Sequence, residues 1–306
     1  MPYDASDARS QLSSSSGATA VKEPPSAYAG AEYLKFYEIP PTETTVGAKT
    51  WIGRGQNFVL LYNELNGELE FSRTAQPDEW VILMPDKAVT ADVTAGDEKL
   101  TTEGDHLIFV PPGDATVKLS GTGRVILLLT NKATDLTAKA INAGSYGAHH
   151  PNVADLEQWP DPVGGFKLRS YSLDVPPMDN PPFRLFRCTT FMVNYIKQQE
   201  GPRDPQKLSP HVHDDFEQCS LVIDGTYVHH IRWPWTTDLD AWRPDDHEHC
   251  ESPHICVIPP PAIHTSQAIG AGTNHLIDIF SPPRVDFSKM AGWVLNADDY
   301  PPSAAV

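Results

Sequence analysis

The segment Ser209-Pro210-His211-Val212-His213-Asp214-Asp215-Phe216-Glu217 contains the pattern that decides the fold. Two histidines and a carboxylate stand at even offsets from one another, and even offsets point to one face of an extended chain. A His-x-His pair by itself carries little weight in a chain with 12 histidines, because such pairs often lie on a solvated strand face. Its meaning depends on the sequence that follows.

Two later features complete the pattern. Gly225 follows a short apolar segment, and Val257-Ile258-Pro259-Pro260-Pro261-Ala262-Ile263-His264 comes further on. Together with the first segment they resemble the two characteristic motifs of the cupin superfamily. The resemblance implies an all-β fold of jelly-roll barrels, also called double-stranded β-helices. It also implies four metal ligands, which are His211, His213, Glu217 and His264.

The match departs from the family pattern at several positions. Pro205 stands where the first motif usually has its leading glycine, and one extra residue precedes Gly225. In the second motif, Pro261 replaces the turn glycine and Ala268 replaces the terminal asparagine. None of these departures removes a ligand.

The implied ligand set predicts one divalent metal ion per chain. Three neutral imidazoles and one carboxylate suit Fe(II), Mn(II), Ni(II), Co(II) or Zn(II), and we favour Fe(II). An octahedral ion would keep two open positions on this set. Substrate, water or dioxygen would bind there.

The first half of the chain contains a weaker copy of the same pattern. Arg73-Thr74-Ala75-Gln76-Pro77-Asp78-Glu79-Trp80 places a glutamate before an apolar strand, but Arg73 and Ala75 stand at the histidine positions. Gly104 to Thr116 contains the proline-x-glycine turn of the second motif, with Thr116 at the histidine position. The repeat predicts two tandem cupin barrels, the first degenerate and without metal.

Short apolar runs separated by Gly, Pro, Asp and Asn extend over both halves and predict strands. We expect a flexible N-terminal arm over 1–32 and the degenerate barrel over 33–135. A linker, part of it helical, is expected over 136–165, and the metal-binding barrel over 166–306.

Charge and composition exclude several classes of partner. The chain has 306 residues, with 23 Lys and Arg against 40 Asp and Glu, for a net charge of -17. Such a charge repels nucleic acids and anionic membranes. No run reaches the roughly 18 apolar residues of a membrane helix. We therefore expect a cytoplasmic homo-oligomer, a dimer, that binds a small molecule and carries reduced cysteines.

Other histidines offer further candidates. His229 and His230 are adjacent on a predicted strand, so one of them should point into the barrel and is a candidate general acid or base. A buried, hydrogen-bonded histidine is the plainer interpretation. His247, His249, Cys250, His254 and Cys256 could compose a zinc site, but their spacing matches no familiar zinc finger. A polar surface loop is the simpler interpretation of this segment.

The leading functional hypothesis is a metal-dependent cupin enzyme, a dioxygenase that acts on a small organic substrate. The same ligands would also support non-oxidative chemistry by an isomerase, a lyase or a decarboxylase on a carbonyl or sugar-acid substrate. A non-catalytic binding protein is a third possibility, because the fold does not determine activity.

Overall fold

The computed structural model describes residues 28–176, 183–213 and 216–302. Most of the predicted N-terminal arm, residues 1–27, lies outside the described residues. The strands of the first half are β1 Glu32–Lys35, β2 Glu43–Thr44, β3 Ala48–Arg54, β4 Phe58–Gln76, β5 Trp80–Met84, β6 Val89–Ala95, β7 Glu98–Glu103, β8 His106–Val110 and β9 Gly113–Thr130.

The second half has ten strands in the described residues, and helical structure is confined to short pieces. The strands are β10 Arg169–Ser172, β11 Leu185–Arg187, β12 Met192–Tyr195, β13 Gln199–Glu200, β14 Glu217–Asp224, β15 Thr226–Arg232, β16 Asp246–Glu251, β17 His254–Ile258, β18 Ile263–Ala268 and β19 Thr273–Ser281. The helical pieces are α1 Thr134–Thr137, α2 Val285–Lys289 and the 3-10 turns Ala143–Tyr146 and Leu239–Ala241.

The first barrel is built around β4 and β9, which pair along nearly their whole length. Their two ends belong to opposite faces of the barrel, because β5 pairs with one end of β9 and β6 with the other. On β6 the residues from Val89 to Ala95 alternate strictly between buried and exposed, as expected for a strand with one face on a core. The interior is apolar and includes Trp80, Ile82 and Leu127.

The second barrel has two opposed sheets. The larger runs in the order β1-β17-β14-β19-β12-β11, and the smaller is β16-β15-β18. Its interior contains polar side chains that are almost completely buried, among them Gln218, Ser220, His229 and His254. The segment predicted to be a surface loop, residues 245–256, instead contains the whole of β16 and the start of β17.

Each half of the chain contributes one strand to the other barrel. β1 pairs with β17 of the second barrel, with Leu34 opposite Ile255. β10 pairs with β8 of the first barrel, with Arg169 opposite Phe109. These two pairings cross the boundaries expected from the sequence, because pairing between distant segments leaves no local mark in the sequence.

A shared apolar core joins the two barrels. It contains side chains from the first barrel, such as Phe58 and Leu83, and from the second, such as Cys219 and Ile279. The predicted linker contains the end of α1 and the Ala143–Tyr146 turn. All four cysteines are free and buried. None of the helices in the described residues is long and apolar enough to cross a membrane.

Candidate metal centre

Three of the predicted ligands come together at one end of the second barrel. His211 pairs with His264 through two backbone hydrogen bonds, of 3.0 Å and 2.8 Å. The imidazole centroids of His211 and His264 are 4.4 Å apart, and the ring of His213 lies 4.8 Å from that of His264. One ring nitrogen from each residue lies within 4.8 Å of the other two. Such a group can hold a metal ion.

Neighbouring carbonyls fix the direction of two of these rings. The Nδ1 atoms of His211 and His264 lie 2.9 Å from the carbonyl oxygens of Ser209 and Ala262. Each neutral ring donates its Nδ1–H to that carbonyl, which leaves an Nε2 lone pair for a metal. The Nε2 atom of His213 is buried without a hydrogen-bond partner. A bound cation would accept the lone pair of this buried nitrogen and give it a partner.

The environment keeps the imidazoles neutral, as metal binding requires. Burial lowers the pKa of all three rings, and it lowers that of His264 to about 3. His213 and His264 are 4% and 2% exposed, whereas His211 is exposed. The centre therefore opens to solvent beside His211.

The structure does not bring Glu217 together with the three histidines. Its carboxylate accepts a hydrogen bond of 2.6 Å from the backbone N–H of Gln56 in the first barrel. A Cβ atom on Gly55 would come within 2.6 Å of the same carboxylate, so the contact is close. Burial raises the pKa of the Glu217 carboxyl to about 7. Even offsets along one extended strand do not relate Glu217 to the histidines, because β14 begins only at Glu217.

Gln218 takes the inward position that Glu217 was predicted to fill. Its amide N–H donates to the Asp278 carboxylate at 3.0 Å and to the Ser220 hydroxyl at 2.9 Å. The amide oxygen consequently faces His264 Nε2, at 3.4 Å. When neutral His264 carries its proton on Nδ1, both of these atoms present lone pairs, so neither can donate a hydrogen bond to the other. A cation bound by both atoms would remove this repulsion. The extra residue before Gly225 was the feature that could have revealed this shift by one position.

A buried carboxyl lies behind the amide. Asp278 accepts a hydrogen bond of 2.8 Å from the Ser220 hydroxyl in addition to the one from Gln218. Burial raises the pKa of Asp278 to about 6. Because a carboxylate accepts hydrogen bonds only, Asp278 fixes which end of the Gln218 amide faces the histidines.

An aromatic and cationic wall lines one side of the centre. The ring of Phe216 stacks on His213 with centroids 4.4 Å apart. The Arg284 guanidinium lies 5.2 Å from the centroid of Phe216 and 4.9 Å from that of Phe280. Arg284 is 7% exposed and pairs with Asp286. Its positive charge contributes to the lowered pKa values of all three histidines.

The two predicted acid–base candidates lie on opposite faces of β15. His229 points into the barrel and is fully buried, with its ring nitrogens against Ser266 and His254. His230 points outward, where its ring contacts His247 and Gln267. The prediction that one of the pair faces inward therefore fits His229. His230 faces away from the centre, because side chains alternate between the two faces of a strand.

Three of the four corresponding positions in the first barrel hold Arg73, Ala75 and Thr116 in place of histidine, and Glu79 holds the fourth. Arg73 lies opposite Ala115 in the β4–β9 ladder, and its guanidinium pairs with Asp135. Thr116 pairs with Ser72 and contacts its hydroxyl. Both clusters of candidate metal ligands found among the described residues belong to the second barrel.

Comparison with known proteins identifies the fold. No protein-family model matches the chain, and no curated protein matches its sequence. Oxalate decarboxylase from Lactobacillus farciminis, solved as a formate complex, has a TM-score of 0.56 and 11% identity, over 85% of this chain and 90% of that chain. AerE from Microcystis aeruginosa has a TM-score of 0.52 and 8% identity, over 85% of this chain and 100% of that chain.

A variant of oxalate decarboxylase from Bacillus subtilis is similar to the same extent. Its TM-score is 0.55 at 10% identity, over 87% of this chain and 84% of that chain. Structural similarity at such low sequence identity is evidence for the fold alone. The prediction of an all-β chain with two tandem jelly-roll barrels is confirmed.

Proposed function

We propose that this two-barrel cupin protein is a metal-dependent lyase that removes a carboxylate group from a small organic acid. The observation that carries the proposal is the donor set, in which three neutral imidazoles converge beside the Gln218 amide oxygen. Such nitrogen and oxygen donors suit a divalent first-row ion, whether Mn(II), Fe(II), Co(II), Ni(II) or Zn(II).

The charge of the centre favours an anionic substrate. A carboxylate ligand would offset one charge of a divalent ion, whereas the Gln218 amide leaves both charges in place. Arg284 adds a positive field from behind Phe216 and Phe280. The acidic group of the described residues closest to the amide is Asp278, which lies beyond it. A carboxylate oxygen from the substrate would restore the charge balance.

The chain would bind and orient the acid for cleavage of its carbon–carbon bond. When bound, the metal supplies Lewis-acid polarisation of a carboxylate or carbonyl oxygen. The histidines and Gln218 would hold the ion, and the opening beside His211 would admit the acid. Cleavage leaves the electron pair of the broken bond on the remaining fragment, which takes a proton from solvent, and releases carbon dioxide.

The structural neighbours support this non-oxidative alternative more than the dioxygenase predicted from the sequence. Two of the similar structures are named oxalate decarboxylases. Similarity at such low identity is evidence for the fold alone. The proposed activity therefore rests mainly on the donor set and the charge of this chain. The preference for Fe(II) has no support from these names either.

The test is reconstitution of the metal-free protein with each candidate ion separately. We expect carbon dioxide release under anaerobic conditions from a panel of short dicarboxylates and 2-oxo acids with at least one ion. Absence of release with every ion would overturn the proposal. Release that requires oxygen uptake in fixed ratio would establish the dioxygenase instead.

Two variants separate the role of the metal from that of the positive charge on Arg284. His264→Ala should lose the metal of the centre formed by His211, His213 and His264, and with it the activity. Arg284→Met should keep its metal and raise the substrate KM by about tenfold, because about 1.4 kcal/mol of anion attraction is lost. The matched control is Arg232→Met, since Arg232 is an exposed arginine of the same barrel that pairs with Asp245 as Arg284 pairs with Asp286.

A further inference from the structure

A second group of metal-binding side chains lies deeper in the same barrel. His229 of β15, Cys250 of β16 and His254 of β17 each place one donor atom within 4.8 Å of the other two. Their exposed fractions are 0%, 1% and 0%. None of the three belongs to the centre formed by His211, His213 and His264. The group therefore needs an explanation of its own.

Backbone and side-chain contacts aim both imidazoles at a common point. The Nδ1 atom of His254 lies 2.6 Å from the carbonyl oxygen of Glu251, so this ring donates Nδ1–H and turns its Nε2 lone pair inward. The Nε2 atom of His229 lies 2.7 Å from the Nε2 atom of His254. On its other side, His229 Nδ1 lies 2.9 Å from the Ser266 hydroxyl. Such outer contacts typically orient metal-binding histidines.

The Ser266 hydroxyl permits both protonation patterns of His229. Without metal, His229 Nε2–H donates to His254 Nε2, and the hydroxyl donates to Nδ1. With metal, the proton resides on His229 Nδ1 and the hydroxyl accepts it, because a hydroxyl serves as donor or acceptor. Both Nε2 lone pairs are then free for a cation.

The thiol supplies a third and softer donor. Burial raises the pKa of Cys250, so without a cation this thiol is protonated. A coordinated cation stabilises the thiolate, and the released proton goes to solvent. Ligand distances of 2.0–2.3 Å around tetrahedral zinc correspond to about 3.4 Å between donor atoms. This separation lies between the 2.7 Å of the imidazole pair and the 4.8 Å limit of the group.

We infer that His229, Cys250 and His254 form a second metal site, which takes Zn(II) or a cation of similar softness and ties three strands together. Thiolate and imidazole donors select zinc-like ions, whereas the first centre offers only nitrogen and oxygen. β15 and β16 belong to the smaller sheet and β17 to the larger one. The site would therefore fasten the two sheets of the barrel to each other.

The five-residue zinc site considered from the sequence differs from this one. It contained Cys250 and His254, but it also contained His247 and His249, whose side chains are exposed. It lacked His229, which comes from β15 and meets the others only in the folded barrel. The inference does not depend on the proposed lyase activity.

The test uses the full-length, metal-free protein and Co(II) as a spectroscopic probe. We expect the His211→Ala/His264→Ala variant to bind one equivalent of Co(II) with thiolate-to-metal charge-transfer absorption in the near ultraviolet. The same protein carrying Cys250→Ser as well should lose that absorption. The matched control is Cys188→Ser, which removes another buried thiol and should leave the absorption unchanged.

Zinc stoichiometry provides the second measurement. We expect two equivalents in the wild type, and one each in Cys250→Ser and in His211→Ala/His264→Ala. Absence of charge-transfer absorption in the folded His211→Ala/His264→Ala variant would overturn the second site even if Cys250→Ser failed to fold. Failure of the lyase proposal would appear differently, as two bound metals without carbon dioxide release.

Discussion

Glu79 and Glu217 are counterparts in the two barrels, and each binds the backbone of the barrel to which it does not belong. Glu79 accepts a hydrogen bond of 3.0 Å from the N–H of Thr189, and Glu217 accepts one of 2.6 Å from the N–H of Gln56. Both carboxyl groups are almost completely buried. The two glutamates therefore form reciprocal links between the barrels.

The turns that receive these carboxylates are equivalent as well. Arg54-Gly55-Gln56-Asn57-Phe58 connects β3 to β4, and Arg187-Cys188-Thr189-Thr190-Phe191 connects β11 to β12. In each turn the second residue donates its N–H to the carbonyl of the fifth, at 3.1 Å and 2.9 Å. The repeated arrangement supports duplication of an ancestral barrel, and it gives the glutamate of each barrel a structural role.

Glu217→Ala should destabilise the protein without removing its metal. Loss of a buried acceptor leaves the Gln56 N–H unpaired, at a cost of about 2–4 kcal/mol in the free energy of unfolding. Denaturant unfolding and elemental analysis measure the two quantities. Glu70→Ala on an exposed strand position should change neither. Loss of metal in Glu217→Ala with unchanged stability would instead restore Glu217 as a ligand.

Glu79 should make the protein less stable as the pH rises. Burial raises the pKa of its carboxyl above the ordinary 4.5, so its contribution to stability is fully present below about pH 4.5 and decreases as the pH rises through the higher folded-state value. Glu79→Gln removes this titration. The stability of this variant relative to wild type should therefore improve from about pH 4 to about pH 8, as measured by urea unfolding. A constant difference would contradict the assignment.

Much of the fold could be predicted because strands leave local patterns of apolar and turn-forming residues in the sequence. Continuous apolar runs such as β5 identify strands from the sequence alone. The exchange of β1 and β10 could not be predicted in this way. Each of these strands pairs with residues far away along the chain, and nothing near Leu34 or Tyr171 distinguishes a partner in one barrel from a partner in the other.

Three of the four residues that the family resemblance implied as ligands lie close together in the structure. His211, His213 and His264 came together because the family motifs place them at known positions. Glu217 was expected on the face of the two histidines because His211 to Glu217 was treated as one extended strand, and on a strand a shift by one residue reverses the face. Gln218 therefore points inward and Glu217 points to the other barrel.

The exchanged strand β1 should be required for stability of the whole chain. Leu34 is 6% exposed and packs in the core that both barrels share. Leu34→Ala should lower the free energy of unfolding by about 2–4 kcal/mol, in a single transition because the barrels share strands. Val46→Ala, at a fully exposed position, is the control. Two separate transitions in the Leu34 variant would show that the barrels unfold independently.

Gln218→Glu should strengthen metal binding and weaken anion binding at the centre formed by His211, His213 and His264. A carboxylate in place of the amide oxygen attracts the ion more strongly and cancels part of the charge that would attract a substrate anion. Its contact with the Asp278 carboxylate also changes from attraction to repulsion. We expect metal affinity to rise and the affinity of the loaded protein for oxalate to fall by about tenfold, or about 1.4 kcal/mol, in calorimetric titrations. Gln267→Glu, on the outer face beside His230, should change neither. Equal oxalate affinity in wild type and Gln218→Glu would show that the charge of the donor set does not select the substrate.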